Sequence, residues 1–222
     1  MPKLWTFGDS FTFGHGCNEL CPSDTYQEYK SYKKKGDDIW PNILGRILDS
    51  EVMNFGKNGG SNEYILNTII ENYDSIHSDD YVVISKSFST RMDIPIGNEW
   101  YSALGYMEVD EEVEVNASDS ITEEERETLL NFQYLFRGNS LYKTRQDSWF
   151  DFIKNRLLID KKVKSCIMWD VTNIWDVTTP LPHMIRDITY DTGGKIKDKH
   201  FSWKAHSQFS QYIYSKITPK LF

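Results

Sequence analysis

Four short apolar segments of the chain have the pattern of buried β-strands. In the third of them, Tyr81 is followed by three β-branched residues, which is typical of a strand covered on both faces. Stretches with helical periodicity separate the segments. This alternation of strand and helix predicts a parallel sheet of the α/β class. The four segments are residues 4–7, 51–55, 81–84 and 163–169.

Two predicted helices lie between the first three strands. Asp38 is the expected N-cap of the first helix, and Pro41 lies in its first turn, where a missing N–H costs nothing. Ser61 or Asn62 is the expected N-cap of the second helix. The apolar stripes fall at helical spacing on Trp40, Ile43, Leu44, Ile47 and Leu48, and on Ile65, Ile69 and Tyr73.

The middle of the chain is less regular. Residues 95–120 are acidic and are predicted to form loops, and Ser120 with Glu123 forms a capping box that opens a helix to about Phe136. The 222 residues suit a single domain. We expect residues 95–160 to be a helical or loop insertion within it.

The remaining segments are predicted to complete the fold. A helix is expected over residues 140–158, before the fourth strand. Ser202 is the expected N-cap of a final helix, whose inward positions are Ala205, Phe209, Tyr212, Ile213 and Ile217.

Composition excludes several kinds of partner. The formal net charge of −8 argues against non-specific binding to nucleic acid, which depends on Lys and Arg. No apolar run has the length of a membrane span, and the N-terminus lacks the pattern of a signal peptide, which favours a cytoplasmic protein. Three cysteines without a secretion signal are expected to be free thiols, and no metal or other cofactor is predicted. The cysteines are Cys17, Cys21 and Cys166.

Ser10 directly follows the first predicted strand and is the first candidate for chemistry. In an open parallel sheet, ligands bind at the carboxyl ends of strands, near the point where the strand order reverses. A serine hydroxyl needs a base within hydrogen-bond reach to act as a nucleophile. Asp198 and His200 lie in the loop before the last helix, so His200 is the candidate base and Asp198 the acid that orients it. The alternative is that Gly-Asp-Ser is only a strand-ending turn.

Three ordered blocks of the chain combine small and polar residues after predicted strands or before the last helix: Phe7-Gly8-Asp9-Ser10-Phe11-Thr12-Phe13-Gly14, Asn54-x-Gly56-x-x-Gly59, and Asp198-x-His200-x-Ser202 with His206. They are similar, in this order, to the first, second and fifth blocks of the GDSL/SGNH hydrolases. The resemblance implies a flavodoxin-like three-layer sandwich with a central, mostly parallel sheet. It also implies that Ser10 is the nucleophile, His200 the base and Asp198 the acid, although the family's acid usually lies three residues before the histidine.

The resemblance further implies an oxyanion hole. The family's donors are the N–H of the serine, the N–H of the second-block glycine and the side chain of an asparagine in a G-x-N-D block. The first two correspond to Ser10 and Gly59. No G-x-N-D follows the third strand here; Ser87 stands where the asparagine is expected and is the candidate third donor. Phage-encoded members are similar, with a Ser/Thr-rich segment followed by an arginine, here Arg91.

Other polar and aromatic residues near these blocks are candidates for contact with substrate, namely Asp9, His15, Arg91 and Trp203. Arg91 is equally expected in a surface ion pair. The tryptophans are expected mostly in the core, and Trp203 is the candidate for a pocket wall. Further histidines are rival bases: His15, His77, His183 and His206. We expect His206 in the first turn of the last helix.

Hydrolysis of a small-molecule or glycan ester, such as an O-acetyl group on a glycan, is the leading hypothesis from the sequence. A second hypothesis is a binding or virion-associated module with weakened chemistry, motivated by the missing G-x-N-D block and the offset acid. A third is acyl transfer to an alcohol by the same residues, which requires that water be excluded. The expected location is the cytoplasm, or the virion for a phage-encoded chain.

Overall fold

A computed structural model of the protein describes residues 1–14, 39–89, 91–96, 99–104, 114–116, 122, 124, 127, 131, 140–171, 201 and 203–218. Its helices and strands are β1 (Lys3–Gly8), α1 (Ser10–Phe13), α2 (Trp40–Leu48), β2 (Glu51–Gly56), α3 (Asn62–Asn72), β3 (Tyr81–Lys86), β4 (Met92–Ile96), β5 (Glu99–Leu104), β6 (Glu114–Asn116), α4 (Ser140–Ile159), β7 (Ser165–Asp170) and α5 (Trp203–Ile217). None of the described helices combines the length and the apolar character that crossing a membrane requires.

Four strands form the central sheet in the order β2-β1-β3-β7, with every neighbouring pair parallel. The four predicted strands are these four, and the α/β class is confirmed. From β1 the chain first adds β2 on one side and then β3 on the other side of β1. The order of strands therefore reverses at β1 and β3, as in flavodoxin-like sheets, and ligands of such sheets bind at the carboxyl ends of these strands.

Alternate residues of the strands pack into two cores, one on each face of the sheet. Leu4 and Val83 face the core built with α2 and α5, whereas Trp5 and Val82 face the core built with α3 and α4. This period of two is the geometry of a strand buried on both faces. The result is the three-layer arrangement of helices, sheet and helices that the sequence predicts.

The helix α2 begins one residue later than predicted and is capped from another helix. Its N-cap is Ile39, which makes no side-chain capping bond, and Asp38 lies outside the described residues. The backbone N–H of Trp40 instead donates to Nδ1 of His206 in α5 at 3.1 Å. A histidine nitrogen thus satisfies a donor that helix geometry leaves without an intrahelical acceptor. The N-cap of α3 is Ser61, whose Oγ accepts from Tyr64 N at 3.1 Å.

Residues 95–120 differ most from prediction. Instead of loops only, β4, β5 and β6 form an antiparallel sheet in the order β4-β5-β6. Pro95, in β4, pairs with Trp100 of β5. Because β4 is an edge strand, the N–H that proline lacks is tolerated there. The dipeptide Gly97-Asn98 between β4 and β5 is a hairpin signal in the sequence, which the acidic composition of the region obscured.

The later helices agree with prediction where the structure describes them. Helix α4 covers the predicted span of 140–158, and Ala205, Phe209 and Ile213 of α5 are buried. Residues 124, 127 and 131 of the helix predicted after Ser120 are helical; the rest of that span and the predicted cap Ser202 lie outside the described residues.

Candidate active site

Ser10 lies at the carboxyl end of β1, where the strand order reverses. It is the first residue of the short helix α1 and is buried, with 1% of its surface exposed. The preceding residue, Asp9, is the N-cap, and its Oδ1 accepts from Phe11 N at 3.1 Å. At the other end Gly14 has a positive φ of 88° and its N–H donates to Ser10 O at 3.0 Å. The turn around Ser10 is therefore fixed at both ends by its own sequence.

The second block packs directly against the turn around Ser10. Gly8 and Gly56 are opposite each other in the sheet. A Cβ on Gly56 would lie 2.3 Å from Phe13 N and 2.6 Å from the carbonyl carbon of Thr12, so only glycine allows this approach. Beside it, Asn54 Nδ2 donates to Thr12 O at 3.1 Å, and Asn54 Oδ1 accepts from Gly56 N at 2.9 Å. Two blocks that are about forty residues apart in sequence thus meet at one place.

Asp9 is fully buried and bonded within the protein. Its Oδ2 accepts from Ser87 Oγ at 3.1 Å and from Arg91 Nη1 at 3.0 Å. Arg91 Nη1 also donates to Ser87 Oγ at 3.1 Å. The structure therefore brings Asp9, Ser87 and Arg91 together beside Ser10, but it joins them to each other. Their predicted contacts with substrate or oxyanion remain predictions.

Asn62 holds Ser87 through its backbone. Asn62 Oδ1 accepts from Ser87 N at 2.8 Å, and Asn62 Nδ2 donates to Ser87 O and to Gln146 Oε1, each at 3.1 Å. Gln146, in α4, donates in turn to Glu63 Oε1 at 2.9 Å, which also accepts from Tyr142 Oη. From the sequence, Asn62 is predicted only as a possible helix cap, and Gln146 is not predicted as part of the site. A glutamine inside a helix carries no sequence signal for such a role.

Gly59, the predicted second oxyanion donor, lies in a tight turn after β2. Gly60 N donates to Lys57 O at 3.0 Å, and Gly59, at the third position of this turn, has a φ of 72°. A positive φ at that position is the geometry of a type II turn, which favours glycine. The turn follows the carboxyl end of β2, so Gly59 and Ser10 belong to the same edge of the sheet.

The aromatic neighbour of Ser10 contacts the aromatic neighbour of His200. The rings of Phe11 and Phe201 pack edge to face with their centroids 4.9 Å apart, and Phe201 is fully buried. The carbonyl of Phe11 also accepts from Trp40 Nε1 at 3.1 Å. The first block and the residue after the predicted base therefore share one core. Phe201 is not among the residues that the sequence predicts for the site.

Only some of the predicted histidines lie within the described part of the chain. His200, Asp198, His15 and His183 lie outside the described part of the chain, so the predicted triad stays a prediction. His77 precedes β3 and its N–H donates to Asp80 Oδ2 at 3.0 Å. It therefore lies at the amino edge of the parallel sheet, the edge opposite Ser10.

His206, the remaining rival base, is the fourth residue of α5, in the first turn as predicted. It is fully buried, and its Nδ1 accepts the N–H of Trp40. Trp203, predicted as a pocket wall, is the first residue of the same helix.

A charged cluster lies at the carboxyl end of β3, immediately before Ser87. Lys86 Nζ lies 2.7 Å from Asp147 Oδ1 and 3.3 Å from Asp170 Oδ2. Burial alone would lower the pKa of Lys86, but its hydrogen bond to Asp147 and the two carboxylate charges raise it. Lys86 thus stays a cation that ties β3 to α4 and β7.

The sequence matches no protein-family model and no curated protein. Among solved structures the chain is similar to a carbohydrate esterase, with 11% identity and a TM-score of 0.46 over 99% of this chain and 69% of that one. It is similar to a member of the lipolytic protein G-D-S-L family from Veillonella parvula, with 10% identity and a TM-score of 0.39 over the whole of both chains. It is also similar to the lipase/acylhydrolase from Enterococcus faecalis, with 12% identity and a TM-score of 0.38 over the whole of both. Identities and TM-scores this low leave the reaction to be inferred from the residues of the chain itself.

Proposed function

We propose that this chain is a serine esterase of the GDSL/SGNH type, with Ser10 as its nucleophile. The observation that carries the proposal is the contact between Phe11 and Phe201, at 4.9 Å between ring centroids. Each of these residues is the chain neighbour of a proposed reacting residue, Ser10 in one case and His200 in the other. Their packing supports a meeting of the first and fifth blocks at the carboxyl edge of the sheet, where ligands of such sheets bind.

In the proposed reaction, Ser10 Oγ attacks the ester carbonyl while His200 Nε2 accepts its proton. The tetrahedral intermediate collapses when His200 protonates the leaving alcohol, which leaves an acyl group on Ser10. Water, deprotonated by His200, then releases the carboxylic acid and regenerates the serine. Asp198 accepts a hydrogen bond from Nδ1–H of His200 and keeps the imidazole in the tautomer that serves as a base.

Two backbone donors are proposed to stabilise the developing oxyanion, the N–H groups of Ser10 and Gly59. The fixed turn around Ser10 and the glycine turn at Gly59 support this assignment because preorganised donors need no rearrangement during the reaction. One such donor contributes about 3 kcal/mol of transition-state stabilisation. The Ser87 hydroxyl donates to Asp9 at 3.1 Å, so we do not count it among the proposed oxyanion donors.

Removal of the Ser10 hydroxyl tests the proposal. We expect wild-type protein to hydrolyse p-nitrophenyl acetate and to be labelled by a fluorophosphonate at Ser10. Ser10→Ala should lose about a thousandfold or more of the rate, because the nucleophile is absent. Ser215→Ala, which removes an exposed hydroxyl in α5 that donates to Tyr212 O, is the matched control and should keep full activity. Full activity in Ser10→Ala would refute the proposal.

The substrate class is tested with the same pair of variants. We propose short-chain esters, including O-acetyl groups on a glycan, and acetate release from an acetylated xylan measures the second kind directly. Addition of an acceptor alcohol and analysis of the products separates hydrolysis from acyl transfer. A rate of transfer that exceeds hydrolysis would favour the transferase.

The bonds of Ser87 favour a second candidate, a binding module with weakened chemistry. If the third oxyanion donor of the family has no replacement, catalysis loses one preorganised donor. In this case the folded wild-type protein would bind the acetylated glycan but would neither release acetate nor react with the fluorophosphonate. Labelling of Ser10 would exclude it.

A further inference from the structure

We infer that Arg91 is a positioning residue, which fixes the turn that carries Ser10 by holding the carboxylate of Asp9. The inference rests on the proposed function, since it concerns the geometry of the proposed nucleophile. Arg91 lies in the short connection after β3, at the same edge of the sheet as Ser10. The side chain of Arg91 is 15% exposed, and that of Asp9 is completely buried.

The Asp9 carboxylate connects Arg91 to the turn. Its Oδ2 accepts from Arg91 Nη1 at 3.0 Å, and its Oδ1 accepts from Phe11 N at 3.1 Å. The N–H groups of Thr12 and Phe13 donate to the carbonyl of the same residue at 3.1 and 2.9 Å. A rotation of the Asp9 side chain would break its bond to Phe11 N, so that only the two bonds to the carbonyl would hold the start of α1. The cation opposes that rotation, because a buried carboxylate that loses its partner is strongly unfavourable.

Arg91 is itself held in place by local contacts. Its backbone N–H donates to Phe88 O at 3.0 Å and closes a turn, and its guanidinium lies 4.8 Å from the centroid of the Phe88 ring. A cation over an aromatic face is attracted by the ring. These two contacts fix the direction of Nη1 before any substrate binds.

Ser87 forms the third side of this arrangement. Its Oγ donates to Asp9 and accepts from Arg91, each at 3.1 Å. The backbone of Ser87 is clamped by the amide of Asn62, through bonds of 2.8 and 3.1 Å. Ser87 is therefore a rigid link between β3 and the Asp9 carboxylate, and Asn62, in α3, holds its backbone.

These contacts favour positioning over recognition of an anionic substrate. The charge of Arg91 is already neutralised by a carboxylate at 3.0 Å. An incoming anion would compete with Asp9 for the same donor and would loosen the turn around Ser10. A positioning residue affects kcat for a neutral ester, whereas a substrate-binding arginine affects KM for an anionic ester.

The experiment compares Arg91→Met and Arg91→Lys with the matched control Arg156→Met. This control removes another arginine from an ion pair, the exposed pair of Arg156, in α4, with Asp160. For p-nitrophenyl acetate we expect Arg91→Met to lower kcat about a hundredfold, the effect of misplacing a reacting group by about 1 Å, with KM unchanged. Arg91→Lys, which restores the cation, should recover most of the loss.

Hydrogen exchange of residues 11–13 provides a readout that does not depend on activity. We expect these amides to exchange faster in Arg91→Met than in Arg156→Met, while the strands of the central sheet exchange alike. If Arg91→Met does not fold, Arg91→Gln, which removes the charge but keeps a hydrogen-bond donor, is compared with Arg156→Gln in the same way. Exchange equal to the control would overturn the inference, and so would a change confined to KM for an anionic ester. A wild-type protein without esterase activity would refute the proposed function, and exchange would still decide the role of Arg91.

Discussion

Substitution of Gly56 by alanine tests how the second block supports the nucleophile turn. The added Cβ would lie 2.3 Å from Phe13 N and 2.6 Å from the carbonyl carbon of Thr12. Both atoms belong to the backbone of α1, so no side-chain rotation relieves the contact. Ordinary van der Waals contact begins at 3.4 Å, and α1 must therefore move by about 1 Å. A displacement of that size at the reacting group costs about a hundredfold in rate.

The same substitution should also destabilise the fold. Overpacking of this kind costs about 1–3 kcal/mol in the free energy of unfolding, which urea denaturation measures directly. Gly45→Ala is the matched control. Its Cβ would meet Val52 Cγ2 at 2.2 Å, a comparable overlap with a side chain in the contact between α2 and β2. We expect it to affect stability and to leave kcat/KM for p-nitrophenyl acetate unchanged.

Two results would refute this reasoning about Gly56. Wild-type stability of Gly56→Ala would mean that the close approach of β2 and α1 is not a constraint. A loss of stability with wild-type kcat/KM would mean that α1 can move without consequence for Ser10, and the proposed role of the turn would fail.

Three further predictions concern buried and charged groups away from the proposed reaction. His206→Leu removes the acceptor of the Trp40 N–H and should lower the free energy of unfolding by about 1–3 kcal/mol, the cost of a buried unsatisfied donor; an unchanged urea midpoint would contradict it. Burial raises the pKa of Cys166 from 9.0 to about 12. The stabilisation of the folded state by the neutral thiol is therefore fully present below pH 9.0 and is lost as the pH rises towards 12. Cys166→Ala should remove that loss, and an identical alkaline decline in both proteins would argue against it. Burial acts to raise the pKa of Asp147, but its two lysine partners hold it below 3.8. Its stabilisation is therefore present above pH 3.8 and is lost as the pH falls through the lower folded value. Asp147→Asn should remove this loss of stability at acid pH. The loss amounts to less than about 1 kcal/mol because the Asp147 side chain is 35% exposed. Equal acid sensitivity of the two proteins would refute the assignment.

The central sheet was predictable because local patterns specify it. The β-branched run after Tyr81 and the apolar segment at residues 4–7 allow little other than strands covered on both faces. Helical stripes between them require crossover connections, and these produce a parallel sheet. The position of Ser10 at the carboxyl edge follows from this topology. Local signals were sufficient here because each one agreed with the global fold.

The antiparallel sheet of β4, β5 and β6 was not predicted because composition outweighed local turn chemistry. Residues 95–120 are rich in acidic side chains, which suggested loops. Gly97-Asn98 is nevertheless a two-residue hairpin signal between segments that pair in register. Turn residues identify such a hairpin better than the charge of the surrounding segment.

Long-range polar contacts could not be predicted from sequence patterns, for a different reason. Asp80 is buried and accepts from Lys3 N and Trp5 Nε1, each at 2.8 Å. Asn62 bonds to Ser87, and His206 caps α2 across 166 residues of sequence. No periodicity marks these partners, because each pair is defined only after the strands and helices have packed.

The same limit explains why Ser87 and Arg91 acquire a different role once their neighbours are known. Considered alone, a serine and an arginine at the end of a strand are candidate donors to a substrate. Asp9 changes this assignment because a fully buried carboxylate must be paired and hydrogen-bonded. Both residues meet that requirement within 3.1 Å. Under the proposed function, the oxyanion is then stabilised by backbone N–H groups, and the side chains at the end of β3 act through the turn that holds Ser10.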